Sequence, residues 1–346
     1  MDSATPRAVA SAAPPRPTLR LGIMVLDGAL MSSIGSPLDA LRIAERIANL
    51  RRPADAPRFV THVFSARGQT RIRTSNGLVL DGIEAPPEAL DVLLVPGVMA
   101  DDVSGLCGQV RSFTPEVAYL RRAHAAGVRI AAACSGTLLL AESGLLDGRR
   151  ATTSWWLAAA FKKQYPNVLL DAERMVVDDQ GLTTAGAATA VLNLVIRLIA
   201  EFAGDDLAQQ VSRMLAFDAE RQSQAPYVSM ALLERPRTSM AEKAESYLRK
   251  ELGKDISVAS LAEHCGTSER SLLRHFKAHY GTTPLEHIQH LRVERAKAML
   301  EATHLSFEEI VDRCGYRDVS SFRKLFKRDT ALTPVDYRER FRLRAR

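Results

Sequence analysis

The last third of this 346-residue chain is written twice. Cys265-Gly266 recurs as Cys314-Gly315, 49 positions on, while Phe276-Lys277 and Thr283-Pro284 recur as Phe326-Lys327 and Thr333-Pro334, each 50 positions on. The segments LAEHCG (261–266) and IVDRCG (310–315) share their apolar, acidic and basic positions. A period near 50 residues with apolar residues at helical spacing implies two copies of one helical unit. They are joined by a long helix from Pro284 to about Glu301. Each copy has the mechanics of a helix-turn-helix. Ser257 can cap a short helix through Cys265, Gly266 permits the positive φ of a tight turn, and Ser268 caps a second helix through about His279. In the second copy Ser306 and Glu309 form a capping box, Gly315 supplies the turn, and the second helix runs from Val319 to about Asp329.

In each second helix the apolar residues (Leu272, Leu273 and Phe276; Phe322, Leu325 and Phe326) fix the packed face. The opposite side then carries Arg270, Ser271 and Arg274 in one copy, and Ser320, Ser321, Arg323 and Lys324 in the other. These residue types contact guanine edges and phosphates in a major groove, and two such helices one turn of DNA apart would enter successive groove segments. Charge points the same way. Residues 237–346 hold 22 basic and 16 acidic residues, whereas residues 1–236 balance at 24 of each. The whole excess of +6 sits on the repeated unit, as a domain meeting a polyanion requires. A helical bundle for protein contact is the competing reading. His264, His275, His279, His287, His290 and His304 are scattered without metal-ligand spacing.

Upstream, short apolar runs alternate with longer helical patterns. Leu21–Leu26, Phe59–Phe64, Val92–Val95 and Val128–Ala133 read as strands, several nearly continuous in apolar character, as strands buried on both faces must be. Pro37–Asn49, Thr114–Ala126, Thr137–Ser143, Trp155–Tyr165 and Ala187–Phe202 read as helices, and Asp205–Asp218 as a further helix able to pair subunits. Such alternation implies a parallel α/β sandwich. The expected division is a flexible tail at 1–18, an α/β domain at 19–220, a linker at 221–240 and an all-α domain at 241–346. No run approaches the ~20 apolar residues of a membrane span, and the Ala/Pro/Arg-rich first residues lack the apolar centre of a secretion signal. Four cysteines without ligand spacing make neither a disulfide framework nor a metal site. The expectation is a cytoplasmic protein with no cofactor and no membrane partner.

The sharpest chemical feature is Cys134, between the strand VRIAAA (128–133) and the helical run that follows Ser135-Gly136. A cysteine on such an elbow sits at a helix N-terminus, whose dipole and free N–H groups lower a thiol's pKa. A nucleophile and a small buried thiol packing a tight turn both fit. The crevice of an open parallel sheet lies outside the carboxyl ends of its strands. Here that means residues 27–33 with Ser33, residues 96–99 with Gly97 and Val98, and residues 134–136. The N–H groups of Ser135 and Gly136 can meet a carboxylate, and Ser33 and Ser154 add neutral hydrogen bonds. Trp155 and Trp156, the only tryptophans, follow Ser154. They either pack the core or offer an indole face to an ammonium group.

Residues 241–343, closing with GYRDVSSFRKLFKRDTALTPVDYRERF, resemble the AraC/XylS-type DNA-binding domain. Carried over by position, the base-reading sites of that family fall on Arg270, Leu273 and Arg274, then on Val319, Ser320, Ser321, Arg323 and Lys324. Leu273 and Val319 can offer only apolar contacts, for example to a thymine methyl. Leu21 to about Gly204 resembles the DJ-1/PfpI-like, class I glutamine amidotransferase-like fold, which is flavodoxin-like; its strongest block is IAAACSGTLLLAESGLLDGRRATTSWW (130–156). The two domains in this order are the architecture of GlxA-type transcriptional regulators. Enzymes of the superfamily pair a nucleophilic cysteine with a His and an acidic residue. Cys134 matches the cysteine, but Ser33 stands at the acidic position and Ser154 where His is frequent. The domain's only histidines, His62 and His124, fall in a strand and on a helix away from the elbow. The resemblance therefore implies a homodimeric regulator that is not an enzyme. It would bind promoter DNA and a small effector such as a betaine or amino acid, and would activate transcription through RNA polymerase. A Cys134-dependent hydrolase or glyoxalase-like enzyme and a Cys134 redox sensor are the alternatives.

Overall fold

The computed structural model describes residues 16–51, 53–229 and 239–342. The expected tail at 1–18 falls outside it up to residue 15, and the expected linker falls outside it over 230–238. Apolar runs build the middle of one sheet: β1 (Thr18–Met24), β2 (Arg58–Phe64), β5 (Val92–Val95) and β6 (Arg129–Ala133). A hairpin of β3 (Arg71–Arg73) and β4 (Val79–Asp81) stands apart from that sheet. Every residue of β5 is buried, as is every residue of β6 after Arg129, so both strands are covered on two faces.

The covers are α1 (Met31–Arg51), α2 (Val103–Ser112), α3 (Thr114–Ala125) and α4 (Gly136–Glu142). After the short strand β7 (Arg150–Ala151) come α5 (Ala158–Gln164), β8 (Leu169–Leu170), β9 (Val176–Asp179), β10 (Leu182–Ala185), α6 (Ala190–Ala203) and α7 (Asp205–Met214). The sheet order is β2-β1-β5-β6-β10-β9, parallel except where β9 pairs antiparallel with β10. Thr-rich β10 and polar β9 carry no long apolar run, which is why they were not expected. β9 is the edge strand, whose position needs none, whereas β10 lies between β6 and β9 and is buried along its length although two of its four residues are threonine.

Several helices differ from expectation: α2 was not anticipated, and the helix expected from Trp155 opens as a 3-10 turn at Trp155–Leu157. α1 starts six residues before Pro37, placing Ser33 in its first turns and Pro37 inside it. Proline has no N–H to give the carbonyl four residues back, so the Ser33 carbonyl lacks its regular helical donor. α7 ends at Met214, four residues short of Asp218. The chain then returns across the α/β domain: Met175 N–H donates to the Gln222 carbonyl (2.9 Å) and Gln224 N–H to the Glu173 carbonyl (2.7 Å), before a 3-10 turn at Ala225–Tyr227.

The C-terminal region is all-helical: α8 (Ser239–Glu251), α9 (Val258–His264), α10 (Glu269–Tyr280), α11 (Pro284–Ala302), α12 (Phe307–Arg313), α13 (Val319–Thr330) and α14 (Pro334–Phe341). The repeat is structural. Ser257 and Ser306 both form capping boxes, Gly266 and Gly315 take φ of 65° and 73°, and Thr283 and Thr333 cap helices with proline in their first turn. Each copy has its own core, around Leu261, Leu272 and Phe276 in the first and Ile310, Phe322 and Phe326 in the second. Arg292 on α11 ties the copies together. Its buried guanidinium donates to the Lys254 carbonyl (2.8 Å) and lies over the Tyr316 ring (5.2 Å), and burial holds its pKa below the usual guanidinium value.

Candidate functional site

Cys134 ends β6 with φ of +56°, a left-handed conformation that a side-chain-bearing residue holds only when its surroundings enforce it. They do. Its N–H donates to the Ala185 carbonyl (2.9 Å), and its own carbonyl accepts from the hydroxyls of Thr137 and Thr153. Ser154 Oγ donates to Cys134 Sγ at 3.0 Å. Gly97 faces the same thiol: a Cβ built there would lie 3.4 Å from Sγ. Ser135 Oγ is held by the backbone of Val98, accepting from its N–H (2.8 Å) and donating to its carbonyl. The side chains around the elbow thus carry no charge.

Here the expectation of a lowered thiol pKa fails. Cys134 is 2% exposed, and burial pushes its thiol up despite hydrogen bonds from Ser154 and Ser135, which favour the thiolate. A fully desolvated sulfur outweighs the field of a helix only seven residues long. Neither histidine of the α/β domain stands by the thiol. His62 on β2 is paired with Glu84 at 2.7 Å, three strands from β6. His124 lies on α3, by the start of β6 and not the end that carries Cys134.

Ser33, Gly97, Val98, Cys134, Ser135, Gly136 and Ser154 are all buried. Leu30 links two of the segments, its N–H donating to the Gly97 carbonyl (2.8 Å) and its own carbonyl accepting from Ser33 N–H (3.0 Å). Ser33 Oγ is fully buried and has no hydrogen-bond partner, an arrangement that costs a protein about 1–3 kcal/mol unless something fills it. Trp155 and Trp156 meet edge to face, ring centroids 5.3 Å apart. Trp156 packs against the α/β core, while half-buried Trp155 is not part of it. Gln224 was not anticipated. Its buried amide donates to the Thr153 carbonyl (2.9 Å) behind Ser154, and only its position in an expected linker hid it.

In the helical domain, α10 and α13 expose the expected basic side chains, but Leu273, expected on the packed face with Leu272 and Phe276, is not buried. Arg270, Arg274, Ser320, Ser321, Arg323 and Lys324 are exposed, and Leu273 is 43% exposed beside them. Ser271 is half-buried at the start of α10, its N–H bonded to Ser268. Val319 is half-buried too and packs against the second core, leaving less of it to meet a partner. Ser321 donates to Asp318, the cap of α13 (2.5 Å), and Arg323 lies over Phe307 (5.4 Å) with Glu308 3.6 Å away. Arg270, Arg274 and Lys324 therefore project the least encumbered charge.

Among the described residues there is no group of three or more His, Cys, Asp or Glu side chains able to hold a metal, and no helix long and apolar enough to cross a membrane.

Comparison with known proteins finds two family matches in the chain. Residues 54–201 match the DJ-1/PfpI family and residues 261–340 match a helix-turn-helix domain. The HTH-type transcriptional regulator CdhR of Pseudomonas aeruginosa is 30% identical over 93% of this chain and 92% of its own length. The HTH-type transcriptional regulator GlxA of Rhizobium meliloti is 29% identical over 96% and 99%. A solved ThiJ/PfpI family protein from Pseudomonas syringae is 21% identical, covering 71% of this chain and 95% of its own with a TM-score of 0.48. The full-length relatives are named as transcriptional regulators. This chain belongs to the family of DNA-binding transcriptional regulators that join a DJ-1/PfpI domain to an AraC-type helix-turn-helix domain.

Proposed function

We propose that the α/β domain is the sensor of this regulator and that its crevice beside Cys134 takes a small effector, whose binding makes the helical domain activate a promoter through RNA polymerase. The observation that carries the reading is Ser33 Oγ, buried and without a partner one turn beyond Leu30, whose N–H bonds Gly97 against the Cys134 thiol. A polar ligand group there would supply the missing hydrogen bond. The surroundings are hydroxyls and backbone, not ionised side chains, which suits an overall neutral, zwitterionic molecule over a strongly anionic one. Trp155 offers an indole face for its ammonium group, so an amino acid or betaine is the favoured class. Cys134 then serves as part of the wall. A redox-sensing role needs an exposed thiol of low pKa, the opposite of what burial gives here.

Arg270, Ser271, Leu273 and Arg274 on α10, with Val319, Ser320, Ser321, Arg323 and Lys324 on α13, form the DNA-reading surface in this account, and a homodimer would read paired half-sites. Thermal denaturation of the full-length protein with glycine betaine and the common L-amino acids tests the sensor. At least one compound should raise Tm in proportion to the logarithm of its concentration, and Trp155→Ala should abolish the shift. A panel without any shift, in a protein that still binds promoter DNA, would remove the effector class.

A further inference from the structure

Residues 222–228 leave the α/β domain, yet their first half is built into it. Arg174 and Ser223 form an antiparallel bridge, and the backbone bonds at Gln222 and Gln224 lay the segment beside residues 173–175 like an extra strand. Gln224 is 1% exposed. Its Nε2 donates among the carbonyls of Thr153 (2.9 Å), Ala172 (3.0 Å) and Arg174 (3.0 Å), and its Oε1 accepts from Ala187 N–H (2.9 Å). Gly186 makes room for it. A Cβ at that position would fall 2.2 Å from the Gln224 amide carbon, so no larger residue coexists with this side chain.

Three residues later the same segment holds the helical domain. The Tyr227 ring packs on the α/β core, meets Phe341 edge to face at 5.3 Å, and carries the Arg340 guanidinium over it at 5.7 Å. Arg340 also pairs with Asp218 at 3.3 Å, and Lys297 donates to the Val228 carbonyl. All of these contacts fall on the second helix-turn-helix copy or on α11. Beside the strap the junction opens into clefts of about 780 and 570 Å³. The strap meets α13 near Arg328, Asp329 and Thr330, leaving the far end with Ser320 and Lys324 exposed.

We propose that residues 222–228 are a coupling strap: Gln224 reads the wall of the crevice through Thr153, and Tyr227 transmits its seating to the second helix-turn-helix copy. Thr153 and Ser154 are adjacent. One bonds Gln224 through its carbonyl, and the other bonds the Cys134 thiol. A ligand that displaces the Ser154 hydroxyl acts on the residue whose peptide with Thr153 carries the carbonyl that holds Gln224. The two halves of a helix-turn-helix pair are then not equivalent. Among the described residues, the contacts named above hold the second copy and α11 to the sensor. The strap's role as signal path rests on the crevice being the effector site, but the mechanical link is present without ligand and can be tested without one.

The test is hydrogen–deuterium exchange on the full-length, unliganded protein. The double variant Arg340→Ala/Phe341→Ala changes side chains of the helical domain alone and removes their contacts with Tyr227 and Asp218. It should raise exchange by about fivefold or more at Ala187 N–H and in peptides covering 150–156 and 173–175, leaving β1 and β2 unchanged. Gln224→Glu sets a carboxylate against three carbonyl oxygens and should raise exchange in 334–341, with Gln224→Met as its uncharged partner. Effects of the double variant confined to 225–229 and 334–341 would overturn the coupling, whatever the effector proves to be. If Gln224→Glu also loosens β1 and β2, the domain itself has been damaged and the double variant alone decides. Should the strap behave as expected while no compound shifts Tm, the coupling stands and the effector reading fails.

Discussion

Ser154 Oγ lies 3.0 Å from Cys134 Sγ, as donor to a sulfur that is 2% exposed. Where an enzyme of this fold would place a base, this chain has a hydroxyl that cannot take the thiol's proton. That pair leaves the elbow without the proton acceptor that covalent catalysis by a thiol needs. The strained elbow at φ of +56° is retained, the base is gone, and burial keeps the sulfur protonated.

Cys134 is therefore expected to resist alkylation. In the native protein at pH 7, iodoacetamide should modify Cys134 far more slowly than a free thiol, read by peptide mass spectrometry. Cys134→Ala should keep promoter binding within about twofold if the sulfur serves only in packing. Rapid labelling at neutral pH would contradict the burial argument.

The same burial has a pH consequence. The thiols of Cys134, Cys265 and Cys314 are all raised, the last to about 12, with burial as the leading cause in each. A group whose pKa is raised on folding holds its stabilisation below the unfolded value and loses it as pH rises towards the folded one. Denaturant midpoints should be flat in these groups' contribution up to about pH 8 and fall above pH 9. Removing Cys314 as Cys314→Ala should flatten that fall, at the expense of a cavity. An alkaline limb unchanged in the variant would assign the loss to other groups.

On the helical domain, Arg274→Ala or Lys324→Ala should weaken operator binding by roughly 1–3 kcal/mol if the side chain reaches a base. A phosphate contact would instead lower affinity for all sequences alike and reduce the salt slope by about one. Fluorescence anisotropy against specific and scrambled duplexes at two salt concentrations separates the two. Ser321→Ala should matter less, because that hydroxyl is already spent on Asp318.

Gly266 and Gly315 repeat each other in sequence but not in setting. Both have positive φ, yet a Cβ on Gly266 meets open space, whereas one on Gly315 would fall 2.9 Å from the backbone of Gly253 and of Lys254. Gly266→Ala should cost about 1 kcal/mol from backbone strain alone. Gly315→Ala should cost at least about twice that and loosen the Arg292 tie to Lys254. Equal losses in urea denaturation would show that the packing at Gly315 relaxes freely.

The two tryptophans should separate as well. Trp156→Ala is expected to destabilise the α/β domain by about 3–5 kcal/mol if its contact with the core behaves as a buried aromatic. Trp155→Ala should cost much less stability and act on effector binding. Reversed effects would exchange their roles.

Much of this was legible in the residues. The 50-residue repeat, its serine caps and its glycines fixed both helix-turn-helix units almost to the residue, because capping and positive φ are local chemistry. The buried strands around Val92–Val95 and Ile130–Ala133 were legible for the same reason, as unbroken apolar runs. What escaped depends on tertiary contact. β9 lies at a sheet edge, and β10, buried beside it, is half threonine, so neither carries an apolar signature. Pro37 lies inside α1 where local rules would start a helix. Gln224 looked like linker because nothing in RQSQAPYVS shows that one amide is threaded past Gly186. The thiol's pKa failed on a magnitude: proximity to a helix terminus is visible in sequence, the depth of burial opposing it is not.

The most direct test of the central claim is a pull-down of fragments of the source genome with the full-length protein, sequenced beside an Arg274→Ala/Lys324→Ala control. Enrichment of a few promoters carrying paired half-sites, lost in the control, is the expected result. Equal recovery of fragments by both proteins, with no shared site among them, would contradict sequence-specific reading by α10 and α13.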